Sequence, residues 1–202
     1  MSIELPRRGS PQDAWERYHQ SAHDALGLGG ANFPLWSNAG VVPALSMLPD
    51  AVPSDLVTIG GGLKRYGFDA SAEESLLAEI MLPSGYELGV ALRPYVRWAP
   101  STANAGVVRW GFEYAWGYDG VALPSGATLY ADGTASAIAY APQLETLEVI
   151  AGDKNRGPGS TLLIRVFRDA ANAADTYADD ALLLAAGVAT SNNATGRAEV
   201  FV

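Results

Sequence analysis

The stretch GVVRWGFEYAWGY, residues 106–118, alternates large apolar side chains with small or charged ones. The large side chains are Val108, Trp110, Phe112, Tyr114, Trp116 and Tyr118. Successive side chains of a β-strand point to opposite faces, so this alternation predicts a strand with one aromatic face. Because polar groups do not interrupt that face, we expect it to form part of the core of a sandwich.

Short apolar runs surround this strand at intervals marked by turn residues. Strands are predicted for residues 56–59, 87–98, 127–130, 137–140, 144–150, 161–168, 181–190 and 198–202, and residues 75–82 fit a strand or a helical turn. Pro94 suggests that its strand is an edge strand or contains a bulge. About eight short strands with little helix predict an all-β antiparallel sandwich or barrel.

The first 55 residues follow a different pattern. Ser10 is a good N-cap, Pro11 suits the first helical position, and the apolar residues that follow have helical spacing as far as Leu26, which predicts an amphipathic helix over residues 11–26. Prolines at positions 34, 43, 49 and 53 then disfavour both helix and central strand. The predicted organisation is therefore an N-terminal arm, residues 1–55, followed by a β-sandwich, residues 56–202.

The arm is expected to contact a partner, because a helix of this length is only marginally stable alone and its apolar stripe needs a covering surface. The side chains expected to make that contact are Trp15, Tyr18, Phe33 and Trp36.

Composition excludes several classes of function. The chain has a formal net charge of −9 and a pI of about 4.6, so it lacks the basic footprint that nucleic acids and anionic membranes require. It has no cysteine, which excludes disulfides, thiolate nucleophiles and cysteine-ligated zinc. No apolar run approaches the ~20 residues of a membrane helix.

Two groups of residues carry side chains that can bind a metal ion. His19 and His23 are spaced to share a metal on one helix face near Glu16, but the sequence places no further ligand beside them. The acidic stretch Asp169, Asn172, Asp175, Asp179 and Asp180 is rich in oxygen ligands, yet it lacks the spacing and the glycine of an EF-hand loop. The simpler interpretation is a turn in which Asp175 caps a short helix and Arg168 pairs with a carboxylate. No metal, cofactor or catalytic residue is therefore predicted, and the chain is not expected to be an enzyme.

Aromatic residues at the end of the central strand offer a different possibility. Trp116 and Tyr118 could stack on sugar rings while Asp119 bonds a hydroxyl group. Core packing explains the strict alternation better, but these three residues define the candidate glycan site.

Several segments together resemble a known group of proteins. They are YGFD (66–69), LPSGY (82–86), RPYVRW (93–98), GVVRW (106–110), EYAW (113–116), RVFRD (165–169) and DTYADDA (175–181). In order and spacing, from residue 57 to the C-terminus, the chain resembles the jelly-roll structural proteins in virions of tailed bacteriophages.

The resemblance implies a jelly-roll sandwich and a place in a virion assembled in the host cytoplasm. The resemblance does not specify the position within the virion. We expect a head decoration (cement) protein that forms a homotrimer or another closed ring and docks on other virion proteins, such as the major capsid protein, through the arm. The alternative is a tail- or fibre-associated module that binds a host-surface glycan.

Overall fold

The computed structural model describes residues 35–192, and for residues 35–38, 60, 191 and 192 it describes the backbone alone. The strands of this range are β1 (Leu35–Pro43), β2 (Leu48–Pro49), β3 (Asp55–Gly60), β4 (Leu63–Phe68), β5 (Ser75–Met81), β6 (Leu92–Pro100), β7 (Val107–Gly117), β8 (Ala127–Thr134), β9 (Gln143–Thr146), β10 (Thr161–Arg168) and β11 (Ala181–Asn192). A single 3₁₀ turn, Ala44–Ser46, is the only helical element in this part of the chain. It has neither the length nor the apolar character to cross a membrane.

The strands form two antiparallel sheets. Sheet I has the order β3-β4-β11-β6-β9, with β1 also paired to β11, and sheet II has the order β2-β5-β10-β7-β8. From β4 to β9 the chain alternates between the two sheets, except for β7 and β8, which are neighbours in sheet II. Strands β4-β11-β6-β9 facing β5-β10-β7-β8 are the two four-stranded halves of a jelly roll. The predicted all-β antiparallel sandwich of jelly-roll type is confirmed.

Aromatic side chains fill the space between the sheets, as the alternation in residues 106–118 predicts. Trp98, Trp110 and Trp116 are each at most 1% exposed. Their neighbours include Phe68, whose ring lies edge-on to Trp110 with the centroids 5.3 Å apart. Trp98 and Trp110 pack at 6.0 Å in the same manner. Burial of each such side chain stabilises the fold by roughly 1.5–3 kcal/mol before the entropy of ordering it is counted.

The sandwich extends upstream of the boundary expected at residue 55. Strand β1 pairs with β11 in sheet I, and β2 pairs with β5 in sheet II. Between them, Ala44 and Met47 are buried in the core. The prolines of this stretch do not block pairing because Pro43 and Pro49 are the last residues of their strands.

Other local predictions were wrong. Residues 63–68 form β4, although no strand was predicted there, whereas residues 137–140 form a loop. Strand β6 is not an edge strand despite Pro94, because it pairs with β11 on one side and β9 on the other. The register shift lies on β11, between Leu183 and Ala185. The helix predicted for residues 11–26 and the strand predicted for residues 198–202 lie outside the described residues.

Candidate interaction surface

The structure describes little of the predicted arm. Trp15, Tyr18 and Phe33 lie outside the described residues, as do His19 and His23. Trp36 lies in β1, where its backbone alone is described. The predicted contact of the arm therefore stays a prediction.

The three candidate glycan-binding residues, Trp116, Tyr118 and Asp119, are not all exposed to solvent. Trp116 is 1% exposed, and its indole N–H donates to Ser160 Oγ at 3.0 Å. Tyr86 lies edge-on to its ring at 6.2 Å, and the guanidinium carbon of Arg156 lies 5.2 Å from the ring centroid. Tyr118 is partly exposed and Asp119 is exposed. A sugar ring therefore has no access to the face of Trp116 in this arrangement.

The acidic stretch after β10 is organised by one buried cation. Arg168 is fully buried, and it donates from Nε and Nη2 to the two carboxylate oxygens of Asp175 at 2.9 and 2.7 Å. Its other N–H groups reach the carbonyl oxygens of Phe68, Tyr177 and Asp179. All five guanidinium donors are used, which is the condition under which a buried charge is tolerated. The predicted pairing of Arg168 with a carboxylate is confirmed.

Asp179 and Asp169 also have protein partners. Asp179 accepts hydrogen bonds from the Asn104 side-chain amide at 2.9 Å and the Thr102 hydroxyl at 2.8 Å, and these bonds lower its pKa. Asp169 lies 3.3 Å from Arg109 in an ion pair. Asp175 caps no helix, because residues 169–180 contain only turns, bends and irregular backbone. Within residues 35–192, no group of three or more His, Cys, Asp or Glu side chains is placed to hold a metal ion.

A second carboxylate group lies where β3, β4 and β11 meet. Glu74 accepts a hydrogen bond from the backbone N–H of Asp69 at 2.8 Å, yet burial raises its pKa, and Asp69, Asp55 and Asp180 raise it further. Burial likewise raises the pKa of Asp180. Glu74 and Asp180 are therefore costly to ionise in the folded protein.

The outer face of sheet II is occupied by ion pairs around an aromatic ring. Arg165 lies 3.1 Å from Asp50, 2.6 Å from Glu73 and 3.6 Å from Glu113. The Phe167 ring covers Gly111 so closely that a Cβ at position 111 would lie 2.2 Å from it. Since these charges are already paired, this part of the face offers no unpaired cation for an anionic ligand.

Exposed apolar side chains concentrate near β8. On the side of the sandwich formed by β8 and β9 they are Tyr130, Ile138, Tyr140 and Leu144, and before β8 they are Val121 and Leu123. Contiguous exposed apolar residues mark protein contacts more often than isolated ones do. This group is the strongest candidate interaction surface in the described part of the chain.

Sequence reasoning missed this surface, although two signals were present. The segment from residue 135 to 142 was predicted to contain a strand, which would have buried alternate side chains. The first signal is the segment ASAIAYAP, residues 135–142, which is half alanine and ends in a proline. The second is that the strand before it, residues 127–134, has a single charged residue, Asp132. Together they could have indicated an exposed apolar loop instead. For Arg168 the signal was clearer, because strand alternation places it on the same inner face as Ile164 and Val166.

Comparisons with known proteins give only distant structural similarities. No protein-family model and no curated protein sequence matches the chain. The chain is similar to the CBM36-1 domain of a multidomain xylanase from the hindgut metagenome of Trinervitermes trinervoides, with 14% identity, a TM-score of 0.41, and 79% of this chain and 98% of that domain covered. It is also similar to CBM35 from Cellvibrio japonicus Abf62, with 7% identity, a TM-score of 0.41, and 73% of this chain and 90% of that chain covered.

A third similarity is to the structure of infectious bursal disease virus, Gx strain, with 14% identity and a TM-score of 0.31. It covers 74% of this chain and 39% of the viral chain. Similarities this low carry no information on what the chain binds. The resemblance to bacteriophage virion proteins has no family match behind it and stays a prediction.

Proposed function

We propose that the chain is a bacteriophage virion structural protein: a head decoration or cement protein that docks on the capsid through its N-terminal segment. The observation that carries the proposal is the contrast between the interior and the surface. The interior is a closed aromatic core, whereas large apolar side chains stay exposed around β8 and on sheet II, where Leu48 and Met81 are 69% and 66% exposed. A protein that works by binding other proteins has use for such residues.

The charged groups support a structural role over a catalytic one. Arg168 and Asp175 use their polar atoms to hold the chain between β10 and β11, and Arg165 and Arg109 are engaged in surface ion pairs. Because they are engaged in these contacts, these groups stabilise the fold. We therefore propose no enzymatic activity, and the partners are other copies of the chain and virion proteins such as the major capsid protein.

Copy number on purified particles tests the virion assignment. A decoration protein is expected in hundreds of copies per particle, which a stained gel or quantitative mass spectrometry measures against the major capsid protein. A few copies per particle would place the protein in the tail. Absence from purified particles would contradict the proposal.

Attachment through the N-terminal segment has its own test in the full-length chain. The double variant Trp15→Ala/Tyr18→Ala removes the predicted apolar stripe, and Gln20→Ala/Asp24→Ala changes the opposite face of the same predicted helix. We expect the first variant to lose co-sedimentation with particles that lack the protein, and the control to retain it. Equal attachment of both variants would contradict docking through this segment.

The alternative, a module that binds a host-surface glycan, requires an open aromatic ring. Of its three candidate residues, Tyr118 and Asp119 are accessible but Trp116 is enclosed. A glycan array on the full chain tests this alternative. Binding that is abolished by Tyr118→Ala would favour it over the decoration role.

A further inference from the structure

Strand β8 is a long sheet edge that the Gln143 side chain engages only at its last residue, Thr134. It pairs with β7 over residues 127–134, and no strand within residues 35–192 pairs with its other side. Natural edge strands are blunted by shortness, proline or several charges. At the opposite edge of sheet II, β2 has two residues and ends in Pro49, whereas β8 has eight residues, no proline and one charged side chain, Asp132.

The loop that follows β8 holds apolar side chains outward at a conformational cost. Ile138 is 65% exposed and Tyr140 is 47% exposed. Ala137 and Tyr140 have φ of 57° and 63°, in the left-handed region that side chains disfavour. The loop is nevertheless fixed, because Tyr140 N–H donates to the Pro100 carbonyl at 2.8 Å and the Gln143 side-chain amide donates to the Thr134 carbonyl at 2.6 Å. Such an arrangement fits a contact surface.

The sequence of β8 is complementary to itself in antiparallel pairing. If two copies pair with Tyr130 opposite Tyr130, then Thr128 lies opposite Asp132 of the second copy, and Leu129 lies opposite its Ala131. Thr128, Tyr130 and Asp132 share the outer face of sheet II, because their β7 partners Glu113, Gly111 and Arg109 alternate in the same way. In this register, neither copy places a charge opposite a like charge, and the two aromatic rings are cross-strand neighbours.

The segments flanking β8 are complementary in the same register. Antiparallel pairing brings the segment before β8 of one copy beside the loop after β8 of the other. The first contains Val121, which is 51% exposed, and Leu123, which is 54% exposed although it also packs over Gly117 of its own chain, and the second contains Ile138. Apolar residues that each copy exposes would therefore cover one another.

We propose that β8 is an isologous two-fold interface between two copies of this chain, in which the two β8 strands pair antiparallel about Tyr130. The five-stranded sheet II of one copy and that of the other become one continuous sheet. Residues 121–126 of each copy then lie beside residues 135–142 of the other at the two ends of the β8 pair. The interface is isologous, so it gives dimers or larger even-numbered assemblies, in contrast to the trimer expected from the resemblance. It is independent of the virion assignment, because it concerns the purified chain in solution.

Charge substitutions at Thr128 test the register through sedimentation equilibrium of the full-length chain. Thr128→Lys places a cation opposite Asp132 of the second copy and should tighten dimerisation, whereas Thr128→Asp places two carboxylates opposite each other and should weaken it. Because each change occurs twice per dimer, we expect shifts of about 2- to 30-fold in Kd in opposite directions. Thermal unfolding of each variant verifies that the fold is retained.

Thr58 provides the matched control, because it is an exposed threonine on β3, the edge strand of sheet I. Thr58→Lys and Thr58→Asp make the same changes in net charge as the two Thr128 variants. Both control variants should leave the Kd of the dimer nearly unchanged. A monomer at all concentrations, a trimer, or equal effects at Thr58 and Thr128 would overturn the proposal.

Cysteine cross-linking locates the two-fold axis. The chain contains no cysteine, so a single introduced thiol is unique. Directly opposed residues of an antiparallel pair have Cα atoms about 4.5–5.5 Å apart, within the range of a disulfide. Tyr130→Cys should therefore form a covalent dimer on mild oxidation, and Thr128→Cys should not. Efficient cross-linking at position 128 instead of 130 would overturn the proposed register.

Discussion

At the scale of single residues, Arg168 is the side chain on which most of the local structure depends. It joins the end of β10 to the carbonyl oxygens of Phe68, Tyr177 and Asp179 and to the Asp175 carboxylate. Asp175 also accepts the backbone N–H of Arg109, so the same ion pair fixes β7. One buried guanidinium therefore connects strands of both sheets with the segment between β10 and β11.

We expect Arg168→Lys to destabilise the fold by about 1–3 kcal/mol for each buried acceptor that it leaves unsatisfied. Lysine keeps the charge but supplies three donors from a single point, so it cannot satisfy both carboxylate oxygens and three carbonyls. Urea unfolding measures the change. Arg165→Lys is the control, because Arg165 is partly exposed and its ion pairs should contribute about 1 kcal/mol or less. Equal losses for the two variants would contradict the role given to Arg168.

Glu74 gives a pH-dependent prediction. Burial raises its pKa in the folded protein, so the folded state holds this proton more tightly than the unfolded chain. The contribution of Glu74 to the free energy of unfolding is therefore greatest at low pH. It falls as the pH rises from about 4.3, the pKa in the unfolded chain, through the higher pKa of the folded protein.

Glu74→Gln should accordingly raise the Tm at pH 7, and the gain should disappear below about pH 4, where Glu74 itself is protonated. Glutamine keeps an oxygen that can accept the Asp69 N–H, so the fold is not otherwise disturbed. Melting curves across this pH range, with the exposed Glu79→Gln as control, provide the measurement. A variant that is less stable than the parent at pH 7 would show that the ionised form is favourable.

Trp110 tests the aromatic core. It is fully buried and contacts both Phe68 and Trp98, so Trp110→Ala should cost about 3–5 kcal/mol. Leu163→Ala, at a position 38% exposed on the outer face of sheet II, should cost much less. A loss below about 1 kcal/mol at Trp110 would be incompatible with a packed core.

At the scale of elements, the segment between β10 and β11 shows how the molecule orders an irregular chain. Asp169 accepts a hydrogen bond from Asn172, Asp175 pairs with Arg168, and Asp179 accepts bonds from Thr102 and Asn104 of the loop between β6 and β7. The sequence made this segment a possible Ca²⁺ site because it is rich in carboxylates. In the structure, arginine, hydroxyl and amide groups bind the carboxylates of Asp169, Asp175 and Asp179.

We expect EDTA to leave the Tm of the purified chain unchanged, because protein donors already occupy the carboxylates of Asp175 and Asp179. Differential scanning fluorimetry with and without added Ca²⁺ provides the comparison. A fall of many degrees on chelation, reversed by Ca²⁺, would reveal a structural ion, since a ligand that binds the folded state stabilises it by mass action.

At the scale of the whole molecule, the sandwich needs the strands upstream of residue 56. β1 and β2 each complete a sheet, and Ala39, Ala44 and Met47 contribute to the common core. Residues 35–50 are therefore part of the sandwich.

Two truncations test the role of these residues. A chain that starts at residue 35 should keep a cooperative unfolding transition near that of the full chain. A chain that starts at residue 56 lacks β1 and β2, so its free energy of unfolding should fall by about 2–5 kcal/mol or more. That range is the cost of truncating a single large buried side chain such as Met47. Urea unfolding of both provides the measurement, and equal stability of the two would show that β1 and β2 are dispensable.

The sequence by itself determined the class of fold and the inner face of the central strand β7. Alternation in β7 identified its inner residues, and the bounds predicted for β10, residues 161–168, agree with the structure. These features are local, because the period of two is a property of the strand itself. The pairing of Arg168 with a carboxylate was also accessible, since the two residues lie seven positions apart.

Only the tertiary structure decided which strands become neighbours and which side chains stay exposed. β1 forms by pairing with β11, more than a hundred residues away, and no local pattern encodes that partner. Trp116 and Tyr130 are both aromatic residues on adjacent strands of sheet II, but one is enclosed between the sheets and the other lies at an open edge. The period of a strand determines which face of the sheet a side chain lies on. Whether that face is covered depends on which distant segments of the chain pack against it.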